Sequence, residues 1–204
     1  MITRREILKL LAEGAVVLGA LRVASLIPAT AESKILRPPG AVNEAYFNSL
    51  CVRCGICLQV CPTKTIVLSG FESGLHAVNT PKIDPLIGPC EFYRGQCEEV
   101  MRCGKYCPTG ALSAVDKMEV KLGEVDFNSR TCWAYEGKEC LICAEMCPVP
   151  GAITEEDRKP VFNLDKCIGC GTCVYVCPAV PKALALVPNG IRRVQSLRRR
   201  SGRL

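Results

Sequence analysis

Apolar residues in this chain gather in short runs separated by polar, glycine and proline positions, with one longer apolar stretch at residues 10–28. Residues 65–68, 118–125, 152–154 and 160–163 are short runs containing β-branched or apolar residues, and such runs bounded by turn residues predict short hairpin strands. Residues 183–187 predict a closing strand, whereas 188–204 carry no apolar periodicity and predict a solvated tail. Residues 32–50, with Pro38-Pro39-Gly40 at their centre, predict a linker, because these residues break regular structure.

The long apolar stretch follows Thr3-Arg4-Arg5-Glu6-Ile7-Leu8-Lys9 and ends on Ala29-Thr30-Ala31. Paired arginines, a moderately apolar stretch and small residues two apart predict a twin-arginine export signal cleaved after Ala31, although Ile7 stands where Phe is common. The alternative is an uncleaved membrane anchor. Glu13 and Arg22 argue against it, since each is costly at mid-bilayer and the uncharged run between them is too short to span.

Composition changes the picture more than the pattern does. The chain has 204 residues, enough for one or two small domains, but only 5% are aromatic, with a single Trp. A large conventional core is excluded. Sixteen cysteines must supply what apolar burial does not, through disulfides, zinc or iron–sulfur clusters. The net charge of +6 comes from the two ends; residues 32–189 carry 16 basic and 18 acidic side chains, so nucleic-acid binding is not indicated.

The cysteines fall into four groups that repeat one idea. Group one is Cys51, Cys54, Cys57 and Cys61, followed by Pro62; group four is Cys167, Cys170, Cys173 and Cys177, followed by Pro178. Both match the bacterial ferredoxin run C-x2-C-x2-C-x3-C-P at every cysteine. Group two, Cys90, Cys97, Cys103 and Cys107, and group three, Cys132, Cys140, Cys143 and Cys147, are stretched at the front but keep the C-x3-C-P ending. Two-residue gaps let three thiolates converge on one cluster. The fourth cysteine points to the other side and in ferredoxins ligates the partner cluster. Neither a disulfide framework nor zinc sites predict four C-x3-C-P endings. The sixteen cysteines are therefore read as the iron ligands of four [4Fe-4S] clusters. Gly55, Gly169 and Gly171 lie where a Cβ would crowd a cluster, and Ile56, Val60, Ile168 and Val176 supply a dry wall.

The predicted fold is α+β: bacterial-type 2[4Fe-4S] ferredoxin-like units, tandem or nested, with short helices and β-hairpins. Residues 1–31 form the signal, 32–50 the linker, 51–187 the four-cluster domain and 188–204 the basic tail. Tandem units pair group one with two and three with four. Nesting pairs one with four and two with three; it is favoured because it joins the two regular groups. Insertion of clusters in a reducing cytoplasm fits an export route that carries folded proteins. The only histidine, His76, reads as a surface residue, and no nucleophile–base constellation is visible, so no substrate site is expected. Trp133 and Tyr135 read as loop packing in preference to stacking on a cluster.

Beyond the cysteines the chain resembles the MauM/NapG family of ferredoxin-type proteins, and looks most like its NapG branch, associated with periplasmic nitrate reduction. The resemblance rests on Leu36-Arg37-Pro38-Pro39-Gly40-Ala41, Cys51-Val52-Arg53-Cys54-Gly55, Ser73-Gly74-Leu75 and the long first gap from Cys132 to Cys140. Group two departs from the family pattern in its wider gaps. The resemblance implies a periplasmic carrier of four [4Fe-4S] clusters, free or membrane-associated. It implies as partners a polytopic membrane iron–sulfur quinol dehydrogenase (NapH-like) and a periplasmic molybdenum reductase, most readily for nitrate, or its cytochrome. An electron-transfer subunit of another molybdenum or tungsten oxidoreductase and an accessory maturation protein are the alternatives.

Overall fold

The computed structural model describes residues 35–97 and 101–194. The expected export signal, residues 1–31, and residues 195–204 of the expected basic tail lie outside them. The secondary structure is short throughout, as expected of a chain whose cysteine loops interrupt every run. Helices α1 (Glu44–Leu50), α2 (Ile56–Val60), α3 (Arg102–Lys105), α4 (Ile142–Glu145) and α5 (Thr172–Val176) alternate with strands β1 (Ile66–Leu68), β2 (Pro81–Ile83), β3 (Glu124–Phe127), β4 (Ile153–Glu156), β5 (Lys159–Phe162) and β6 (Leu184–Val187). No helix among the described residues is long and apolar enough to cross a membrane.

The strands form three antiparallel pairs among the described residues: β1 with β2, β4 with β5, and β3 with β6. The 153–162 hairpin turns on two residues, Asp157 and Arg158, both at positive φ (50° and 59°), the type I′ geometry that matches strand twist. β3 obeys two-residue alternation: Val125 and Phe127 turn inward and Asp126 faces solvent. The strand expected over 118–125 begins later. Asp116 accepts a hydrogen bond from the Met118 N–H and caps a 3-10 turn, Lys117–Glu119, so the extended segment starts at Glu124.

The helices pair as the strands do. α2 packs on α3, and α4 packs on α5. Around the first helix pair the core includes Val42, Phe47, Met101 and Leu112; around the second it includes Val125, Val174 and Leu184. Thiol sulfurs belong to both cores. Backbone bonds join the halves, among them Cys90 N–H to the Cys170 carbonyl (2.8 Å) and Leu122 N–H to the Ile168 carbonyl (2.9 Å).

The expected linker is part of this body in its described portion. Arg37 is fully buried there. Its Nη1 donates to Thr80 Oγ1 at 2.6 Å and to the Pro81 carbonyl at 2.8 Å, and its Nε donates to the Glu44 carboxylate at 3.1 Å. The guanidinium stands 4.4 Å over the Phe47 ring. A proline-rich segment thus becomes a strut between α1 and β2, because every polar atom of one long side chain finds a partner. The tail is corrected in the same way. Val194 N–H donates to the Ala41 carbonyl, Arg192 N–H to the Lys121 carbonyl and Arg193 Nη2 to the Ile35 carbonyl, so the chain returns to the body before its basic end.

Candidate metal-cluster site

All sixteen cysteines are free thiols, and nearly all are half-buried or buried; Cys54 is exposed. Among the described residues no group of three or more His, Cys, Asp or Glu side chains is arranged to hold a single metal ion. The thiols instead line shared cavities.

Cys51, Cys54 and Cys57 line one cavity together with Cys107, the last cysteine of group two. Cys90, Cys97 and Cys103 line a second with Cys61, the last of group one. Cys132, Cys140 and Cys143 line a third with Cys177 from group four. The remaining four, Cys147, Cys167, Cys170 and Cys173, lie close enough for their charges to oppose one another. Each quartet takes three cysteines from one group and the terminal cysteine of its sequence neighbour. The reason is local. The third cysteine sits in a helix of one turn or little more, and the chain leaves that helix extended at the fourth: Cys61 has φ −70° and ψ 120°, and Cys177 φ −61° and ψ 120°. The following Pro fixes that exit, and helix pairing brings the fourth thiol under its neighbour's loop.

The electrostatics describe sites built for cations. Burial, then the neighbouring Cys51, Cys54 and Cys107 charges, pushes the Cys57 thiol up to about 12. Burial does the same to Cys90, up to about 12, with Cys170, Cys61 and Cys97 adding to it. Cys143 is pushed up to about 11 by burial and by Cys132 and Cys140, and Cys103 and Cys173 are driven up chiefly by burial. Such thiols give up their protons only to a compensating positive charge, so loading a metal centre releases protons. Cys107 differs. Burial raises it, but hydrogen bonds from the Leu112 N–H and the Thr109 hydroxyl and N–H outweigh burial and leave it lowered. Four soft sulfur donors around an apolar space are the donor set of an iron–sulfur cluster.

Electrostatic neighbourhood orders the quartets. Cys57 lies near enough to raise the Cys103 thiol, Cys170 to raise Cys90 and Cys143 to raise Cys173. These neighbours set the first, second, fourth and third quartets in sequence.

Several expected roles take a different form. Gly55 and Gly171 head α2 and α5 at φ 73° and 79°, so the left-handed backbone explains them. A Cβ at Gly171 would stand 2.8 Å from Pro85, and one at Gly55 would meet no protein atom within 4 Å. Ile56, Val60, Ile168 and Val176 are half-buried, and Ile56 lines the first cavity. Trp133 packs under Lys138 Nζ (5.2 Å) within its loop and also lines the third cavity. Tyr135 stacks edge-on against Phe127 at 5.4 Å. His76 is exposed. Sequence reasoning passed over Glu91, Thr109 and Thr172. The two threonines carry a readable signal, a hydroxyl two residues after a cysteine.

Comparison with known proteins places the chain among iron–sulfur carriers. A 4Fe-4S binding domain matches residues 45–67 and another matches residues 158–179, the windows of the two regular groups. The methylamine utilization ferredoxin-type protein MauM of Methylophilus methylotrophus is 36% identical over 84% of this chain and 80% of its own length. The ferredoxin-type protein NapG of Escherichia coli K12 is 36% identical over 78% of this chain and 72% of its own. MauM of Paracoccus denitrificans is 32% identical over 99% and 95%.

Proposed function

The chain belongs to the MauM and NapG family of ferredoxin-type proteins, and from that premise we propose that it is a periplasmic carrier of four [4Fe-4S] clusters arranged as two tandem ferredoxin-like units. That it is an iron–sulfur electron-transfer protein of this type follows from the family and its two 4Fe-4S binding domains. The observation that carries the finer reading is the sharing of thiols between sequence-adjacent groups. Cys107 lines a cavity with Cys51, Cys54 and Cys57, and Cys61 lines one with Cys90, Cys97 and Cys103. This sharing favours tandem units over nesting, which would have set Cys177 among the group-one thiols.

When bound, each cluster supplies a one-electron redox centre. The protein holds the four centres in file through the Cys57–Cys103, Cys90–Cys170 and Cys143–Cys173 neighbourhoods. Apolar side chains such as Ile56, Leu58 and Leu112 keep water from the thiols. The file links a membrane quinol dehydrogenase to a periplasmic molybdenum reductase or its cytochrome, and the chain carries no substrate site of its own. Export by the twin-arginine route, with the signal in residues 1–31, belongs to the same proposal.

Likeness to NapG supports nitrate reduction as the pathway served. Equal identity to a protein named for methylamine utilization supports a second reading, in which the carrier serves methylamine oxidation. A deletion strain separates them. Loss of quinol-driven nitrate reduction, restored by the wild-type chain and not by Cys90→Ser, supports the first. Intact nitrate reduction with lost growth on methylamine supports the second and overturns the first.

A further inference from the structure

The two cavities of the first unit differ in the chemistry of their walls. The second, around Cys61, Cys90, Cys97 and Cys103, is lined in part by Glu91, an acid adjacent to Cys90. The Glu91 side chain is 5% exposed; Oε1 lies 3.8 Å from Arg94 Nη1, and Oε2 is buried without a hydrogen-bond partner among the described residues. Arg94 also donates to the Met146 carbonyl, in the other half of the molecule. The first cavity, around Cys51, Cys54, Cys57 and Cys107, contains no acid, and its charged residue is Arg53.

Hydroxyl protons are divided the same way. Thr63 and Thr65 both line the second cavity, and both donate elsewhere: Thr63 Oγ1 to the Pro89 carbonyl at 2.8 Å, and Thr65 Oγ1 to the Asp84 carbonyl at 3.0 Å. Thr63 Oγ1 lies 3.6 Å from Cys61 Sγ but has no second proton to give. In the first cavity Thr109 Oγ1 lies 3.7 Å from Cys107 Sγ and accepts from the Ala111 N–H, which leaves its own proton for the sulfur. The Leu112 N–H also points at Cys107 Sγ, at 3.5 Å.

Negative charge beside a cluster opposes its reduction, and hydrogen bonds to its sulfurs favour it, because reduction adds negative charge. We propose that Glu91 and Thr109 build a potential step into the first unit, holding the Cys61/Cys90/Cys97/Cys103 centre low and the Cys51/Cys54/Cys57/Cys107 centre high. The inference rests on the four-cluster reading above. An electron shared by the unit then rests at the outer quartet, where Cys54 reaches the surface, and that end of the file is the exit. Glu91 and Thr109 act through the thiol-held centres and are positioning residues.

The test is a spectroscopically monitored redox titration of the anaerobically purified full chain and its variants. Glu91→Gln raises one midpoint by about tenfold in the one-electron equilibrium, or about 59 mV, and Glu91→Asp restores it. Thr109→Val lowers a different midpoint, and Thr109→Ser restores it. In the unmodified protein the midpoint that Glu91→Gln moves lies below the one that Thr109→Val moves. Iron analysis of the unmodified protein tests the four-cluster reading separately; a deficit there sinks both. With full iron, absent or reversed shifts, or the opposite order of the two midpoints, overturn the step. Loss of iron in both Glu91 variants overturns it too, by making Glu91 a packing residue.

Discussion

Replacing Arg37 by Leu removes the strut that joins the proline-rich segment to α1 and β2. The guanidinium is fully buried; it donates to Thr80 Oγ1, the Pro81 carbonyl and the Glu44 carboxylate, and it covers Phe47. Leucine replaces part of the apolar bulk and none of the five-donor fork. Removing one partner of a buried ion pair costs about 3–5 kcal/mol, mostly because the other charge is left stranded. Arg193 Nη2 lies 3.9 Å from Glu44 Oε2 and offers partial compensation, which argues for the lower end of that range. For an unfolding slope of about 1–3 kcal/mol per molar urea, the midpoint falls by at least about 1 M. The assay is loss of the cluster absorbance in anaerobic urea titrations, read against near-UV circular dichroism. Arg37→Leu combined with Glu44→Leu recovers part of the loss, since replacing a whole buried pair is far cheaper than breaking one. An unchanged midpoint in Arg37→Leu, or a double variant whose loss is the sum of the two singles, refutes the reasoning.

Three further predictions follow from the same geometry. Cys107→Ser and Cys54→Ser belong to one quartet, so the double variant loses about four irons, as either single does, whereas Cys107→Ser with Cys103→Ser loses about eight; iron analysis reads this directly. The Glu72 carboxyl is held down to about 2, first by the Lys82 ammonium hydrogen bond and then by the Gly70 N–H. Its folded value is depressed, so the pair persists above that pH and breaks as pH falls through about 2, and Lys82→Gln moves the NMR midpoint of Glu72 upward. Ending the chain at Asn189 removes the bonds of Arg192 and Val194 to the Lys121 and Ala41 carbonyls and lowers the urea midpoint, because each buried group left unpaired costs about 1–3 kcal/mol.

The four cysteine groups were legible because their spacing is written locally. Spacing and the Pro after each fourth cysteine announce the thiols wherever the chain folds. The pairing of groups was not legible, because it depends on which short helices pack together, and the regularity of groups one and four says nothing of that packing. Arg37 was visible only as part of a motif; nothing near it in sequence reveals Thr80 and Pro81, more than forty residues away. The β3–β6 pair joins segments about sixty residues apart; the closing strand was legible, while the start of β3 and the partnership were not. The turn at Asp157-Arg158 lacks the glycine that usually marks a two-residue hairpin. The tail's return depends on Val194 meeting Val42, a contact no local pattern encodes.

Iron and acid-labile sulfide in the anaerobically purified protein test the central claim most directly. Sixteen thiols in four quartets predict about sixteen of each per chain, with a broad brown absorbance that dithionite bleaches. About eight of each, the content of the two regular groups alone, or zinc in place of iron, would contradict it.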